Sequence, residues 1–130
     1  MHTNPSRPES IVDIATIVLR NKHKPLPTLD EILLEICEIF EADPEKIKAP
    51  GKPGEVVKVR YIFFYVASHI LNKSISLKEI GRYMGGRHHT TVMFARDNMI
   101  GYLDKEDGYI WKEWEKYRSK SKIWRQYAVA

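Results

Sequence analysis

Two adjacent glycines, Gly85-Gly86, separate two segments whose apolar residues recur every three or four positions, and this arrangement restricts the fold more than any other feature of the chain. Before them, Ser76 and Glu79 match the reciprocal N-terminal capping pattern and open a short helix over residues 77–84. Successive glycines supply the left-handed backbone angles of a tight turn without side-chain cost, so the helix ends there. A longer helix starts near His88 or His89 and carries Val92, Ala95, Met99 and Leu103 on one face. Two helices joined by a glycine turn read as a helix-turn-helix, in which the second helix offers its N-terminal residues to a major groove.

Those residues are Arg87, His88, His89, Thr90 and Thr91. Their chemistry suits a duplex: arginine pairs with phosphate or guanine, histidine donates or accepts at base edges, and threonine offers a hydroxyl beside a methyl. A helix N-terminus also attracts phosphate through its unbonded N–H groups and its dipole.

The rest of the chain is also helical in pattern. Thr28 with Glu31 forms another capping box, followed by Ile32, Leu33, Ile36, Ile39 and Phe40 at helical spacing. Pro44 suits the first position of a short second helix, where its missing N–H costs least. Residues 48–55 are rich in Pro and Gly and read as an exposed loop with Lys52 at its tip. Residues 56–71 contain many β-branched and aromatic side chains, yet the segment is longer than a typical strand. Phe63, Val66, Ala67, Ile70 and Leu71 keep helical register, which makes this the central core helix. Tyr61, Phe63, Phe64 and Tyr65 belong to its core, with Tyr61 nearest the DNA side. Residues 11–19 could line a buried helix, and residues 109–127 hold Trp111, Trp114, Tyr117 and Trp124 among lysines and arginines. The tryptophans at near-helical spacing suit packing on the core or on a partner.

The expected architecture is therefore all-α. Residues 1–10 form a polar tail, residues 11–103 a helix-turn-helix domain, and residues 104–130 an aromatic and basic helical extension.

Charge is segregated along the 130 residues. Residues 46–96 contain ten basic and two acidic side chains, whereas residues 26–45 contain seven acidic and no basic ones, out of a net charge of +4. A basic middle beside an acidic helix suits a polyanion-binding face. The single Cys37 lies on an apolar helix and reads as a buried thiol, and one cysteine builds neither a disulfide nor a Cys-based metal site. No apolar run approaches the ~20 residues that span a bilayer, and the N-terminus lacks a secretory pattern, so a cytoplasmic, nucleoid-associated location is expected. His88-His89 is a poor metal site because adjacent helical residues diverge by about 100°. Between Lys58 and Arg96 the only carboxylate is Glu79, already used as a cap, so acid/base catalysis lacks its parts. No enzyme activity, cofactor or metal is expected.

The run Gly85-Gly86-Arg87-His88-His89-Thr90-Thr91-Val92, preceded by Glu79-Ile80-Gly81, closely resembles the signature of the C-terminal DNA-binding domain of the bacterial replication initiator DnaA. That family carries Glu-Ile-Gly, a short helix, then Gly-Gly-Arg-Asp-His-Thr-Thr-Val. The resemblance extends over residues 29–103 and implies a TrpR-like helix-turn-helix that binds double-stranded DNA in replication initiation or its regulation. It implies base contacts from His89, Thr90 and Thr91 and a preceding arginine in Arg87. Leu77 and Lys78 stand where the family has a Leu-Pro pair close to the duplex. Lys58, Val59 and Arg60 stand where it has Arg-Pro-Arg at the start of the long helix.

His88 replaces the family's aspartate, and a possible donor in place of an acceptor should alter the preferred site. Residues 48–57 are poorer in arginine than the family's loop, which weakens any reading of the minor groove. No Gly-x-x-x-x-Gly-Lys-[Ser/Thr] pattern occurs, so ATP-driven origin melting is not expected of these residues alone. A non-enzymatic module binding a protein partner through the acidic helix and Trp-rich tail is the other function class open at this point. Neither oligomeric state nor target sequence is legible.

Overall fold

A computed structural model describes residues 25–51 and 53–128. The expected N-terminal tail, the apolar segment 11–19 and Lys52 lie outside the described residues. Within them the chain forms seven helices: α1 (Leu29–Phe40), α2 (Pro44–Lys48), α3 (Gly54–Ile70), α4 (Leu77–Tyr83), α5 (His89–Asp104), α6 (Trp111–Lys120) and α7 (Lys122–Tyr127). The fold is all-α, as the periodicity indicates.

The helix starts follow local chemistry. The Thr28 hydroxyl accepts from the Glu31 N–H at 3.1 Å, and the Glu31 carboxylate accepts from the Thr28 N–H at 2.8 Å, which completes a capping box for α1. Asp43 caps α2 by accepting from the Glu45 N–H at 2.9 Å, with Pro44 in the first turn. Ser76 caps α4 by accepting from the Glu79 N–H at 3.1 Å.

All six other described helices pack on α3. Ile62, Phe63, Val66 and Ala67 are completely buried, which accounts for its nearly continuous apolar sequence. A helix wrapped on most sides needs no polar face, so burial overrides the strand preference of its β-branched and aromatic residues. Helix α3 starts two residues ahead of the apolar pattern, because Gly54 and Glu55 form its first turn after Pro53.

The C-terminal segment divides into two helices at Ser121, whose backbone is extended. A residue distant in sequence supports the new start. The Glu35 carboxylate of α1 accepts from the Ser121 hydroxyl at 2.5 Å and from the Lys122 and Ile123 N–H groups at 2.9 and 3.1 Å, capping α7 from another helix. The Ser121 hydroxyl in turn accepts from the Trp124 N–H at 2.9 Å. The bend sets Trp124 edge-on to Trp114, centroids 4.9 Å apart, and both pack around Tyr65 of α3. Ile110, Trp114 and Tyr117 join the same core cluster as Ile32, Phe63 and Val92, so the segment expected as an extension closes the core.

Candidate nucleic-acid interface

Helices α4 and α5 pack directly on one another, and the turn between them is held by glycines and one arginine. A Cβ at Gly81 would lie 2.3 Å from the Arg87 carbonyl oxygen, and the Arg87 N–H donates to the Gly81 carbonyl at 2.8 Å. Only glycine allows the turn to fold back this closely. Gly85 has φ +69°, and a Cβ there would lie 2.2 Å from the Lys48 carbonyl oxygen, so this glycine also admits the loop after α2.

The Arg87 side chain ties that loop to the turn. Its guanidinium donates to the carbonyls of Lys48 (3.0 Å), Met84 (2.8 Å) and Ala49 (2.7 Å). Arg60 of α3 reaches the same loop from below, donating to Ile47 (2.9 Å), Gly51 (2.9 Å) and Ala49 (3.2 Å). Burial, and then the neighbouring Arg87 charge, pull Arg60 below the ordinary arginine value, and burial does the same to Arg87. Both guanidiniums stay protonated, since arginine titrates far above physiological pH. The carbonyl cage is thus supported by two positive charges.

His88 forms the N-cap of α5. Its Nδ1 accepts from the Thr90 N–H at 3.2 Å and lies 2.9 Å from the Thr90 hydroxyl. In the tautomer that leaves Nδ1 as acceptor, Nε2 carries the ring proton. The His88 and His89 rings are 4.3 Å apart and tilted by 33°. His88, His89, Thr90 and Thr91 are all exposed, so four polar side chains project from a turn that is itself rigidly tied.

The other residues singled out from sequence occupy different settings. Arg60, Arg87, Thr90 and Thr91 border one groove of about 660 Å³ between the α2–α3 loop, α3 and the start of α5. Arg60 is only 5% exposed, with its donors turned toward the loop carbonyls. Lys58 is not brought to this groove. It faces the C-terminal segment, 3.6 Å from Glu113 and 3.8 Å from Glu55, with its Nζ 5.0 Å from the centre of the Tyr109 ring. Leu77, half-buried, and Lys78, exposed, stand in the first turn of α4, at the end away from the glycine turn.

Phe94 was not singled out from sequence. It lines the groove beside Thr90, Thr91 and Tyr61 and is 64% exposed. The available signal was its place one helical turn after Thr90, outside the buried register of Val92, Ala95 and Met99.

Among the described residues no group of three or more His, Cys, Asp or Glu side chains could hold a metal, and no helix is long and apolar enough to cross a membrane. Trp114 and Tyr117 are buried in the core, and Trp124, half-buried like Trp111, packs against both.

Six helices packed around α3, with a glycine-bound pair presenting the polar N-terminus of its second helix, define a helix-turn-helix domain. The model of the family described as bacterial dnaA protein helix-turn-helix matches residues 29–98, so the chain belongs to that family. It is similar to chromosomal replication initiator proteins DnaA. That of Bacteroides thetaiotaomicron is 30% identical over 92 residues, covering 71% of this chain and 19% of the relative. That of Thermus thermophilus is 37% identical over 65 residues, covering 50% and 14%. That of Thermodesulfovibrio yellowstonii is 30% identical over 100 residues, covering 74% and 22%. The chain thus spans between 14% and 22% of the length of these curated relatives. No solved structure matches it.

Proposed function

We propose that this chain binds double-stranded DNA in a sequence-specific manner, as a non-catalytic protein of replication initiation or its regulation. The observation that carries the reading is the projection of His88, His89, Thr90 and Thr91, exposed and polar, from a turn fixed by Gly81, Gly85 and Arg87. A rigid element that presents donors and acceptors suits the major groove, where every base pair displays a distinct pattern. Family membership and the basic stretch 46–96 point the same way.

The proposed roles follow from each setting. His89, Thr90 and Thr91 contact base edges. His88 presents its Nε2–H to an acceptor such as guanine N7 or O6, whereas an aspartate at this position would accept from cytosine N4. Lys78, at the start of α4, contacts the phosphate backbone, with Leu77 packing beside it. Arg87 and Arg60 add positive potential to the groove floor while their hydrogen bonds hold the loop. Lys58 contributes only when released from Glu113.

Fluorescence anisotropy with one cognate and one scrambled duplex, across a salt series, tests this reading. Affinity should fall steeply with salt on both duplexes, since phosphate contacts release counterions. Thr90→Ala and His89→Ala should each lose ~1–3 kcal/mol on the cognate duplex and little on the scrambled one. Equal losses on both duplexes, or salt-independent binding, would overturn it.

A further inference from the structure

Resting on this reading, we propose that Phe94 is a specificity-determining residue that reads the 5-methyl group of thymine. A single exposed aromatic residue carries little information by itself. Phe94 differs in where it stands: 64% exposed, one turn beyond Thr90, on the wall of the same groove as Thr90, Thr91 and Tyr61.

The chemistry limits what it can recognise. A phenyl ring has no hydrogen-bonding group, so it tells base pairs apart through apolar contact alone. In the major groove the thymine methyl is the apolar feature on offer, absent from G·C pairs and displayed on opposite strands by A·T and T·A. Phe94 lies about 6 Å along the helix from Thr90. That distance spans about two base-pair steps of ~3.4 Å, so its contact falls within two base pairs of the one that Thr90 reads. The hydroxyls of Thr90 and Thr91 and the His88 Nε2–H would fix polar register, and Phe94 would add preference for thymine at a neighbouring position.

The test uses the whole chain and its best selected duplex, with each thymine replaced in turn by 2′-deoxyuridine, which removes only the methyl group. At one position, within two base pairs of the site sensitive to Thr90→Ala, the wild type should lose about fourfold in affinity, the equivalent of one buried methyl group. Phe94→Ala should bind the thymine and uracil duplexes equally at that position, and Phe94→Leu should keep part of the discrimination. Because the side chain is mostly exposed, both variants should unfold at the wild-type temperature. Undiminished discrimination in Phe94→Ala would assign the methyl contact to a threonine and overturn the inference. So would the absence of any thymine–uracil difference in the wild type, including the case in which Phe94 serves a protein partner. Failure to select any duplex has a separate signature: it overturns the DNA-binding reading, and this inference with it.

Discussion

Replacing Arg60 with methionine keeps the length of the side chain and removes its donors, which isolates the work of the carbonyl cage. Three acceptors lose a partner: the carbonyls of Ile47, Ala49 and Gly51. They are not equal. The bond to Ile47 is buried, and a charged donor there contributes about 1.5–3 kcal/mol. The other two are partly exposed, so water replaces some of the loss; Ala49 also keeps the Arg87 donor at 2.7 Å. About 0.5 kcal/mol each is a fair allowance for these. Relief of repulsion between two adjacent guanidiniums offsets a little. The net cost is ~2–4 kcal/mol, which for a domain of this size corresponds to a fall in Tm on the order of 10–20 °C. Thermal melts followed by circular dichroism, with urea titration as a second measure, would read it. Weakened duplex binding with Tm within about 3 °C of wild type would refute the cage and make Arg60 a direct phosphate contact.

Glu113→Gln should release the Lys58 charge now held at 3.6 Å, raising affinity for every duplex a few-fold and steepening the log–log salt slope by just under ~1; an unchanged slope would remove Lys58 from the interface. Cys37 is 3% exposed, and burial, followed by the Asp43 charge, pushes its thiol up to about 11. Its reaction with an aromatic disulfide at pH 8 should be negligible until urea unfolds the chain. Because the folded value lies above the unfolded one, the associated stability is intact below about pH 9 and is lost as pH rises toward 11; a rapid native reaction would contradict the burial. Glu35→Ala should remove the acceptor of the Lys122 and Ile123 N–H groups while leaving the Ser121 hydroxyl on the Trp124 N–H, costing about 1–2 kcal/mol and shifting tryptophan emission to the red as Trp124 loosens; unaltered emission and stability would show that the Ser121 cap suffices alone.

The parts legible in the sequence are those decided by neighbours in the chain. Capping at Thr28 and Ser76, the glycine turn and the register of Val92, Ala95 and Met99 depend on spacings of three to seven residues. Side-chain direction depends on what packs from far away. Arg60 reads from sequence as a basic residue in a basic stretch, yet α3 turns it under a loop whose carbonyls lie 9 to 13 residues earlier. Lys58, two positions before it, faces the opposite side and meets Glu113, 55 residues away along the chain. The break at Ser121 has a local mark in the serine that caps α7, but its support by Glu35, 86 residues earlier, is not legible from spacing. His88 illustrates the remaining gap: its identity is plain, but its Nδ1 cap on the Thr90 N–H needs the backbone geometry of the turn.

Selection of binding sites from a random double-stranded pool, with wild type and His88→Asp compared at fixed salt, bears most directly on sequence reading by the α5 N-terminus. A motif should emerge for both proteins and differ at one position, from a base that accepts a hydrogen bond for histidine to cytosine for aspartate. If no motif is enriched, or the two motifs are identical, the exposed turn is not reading base edges.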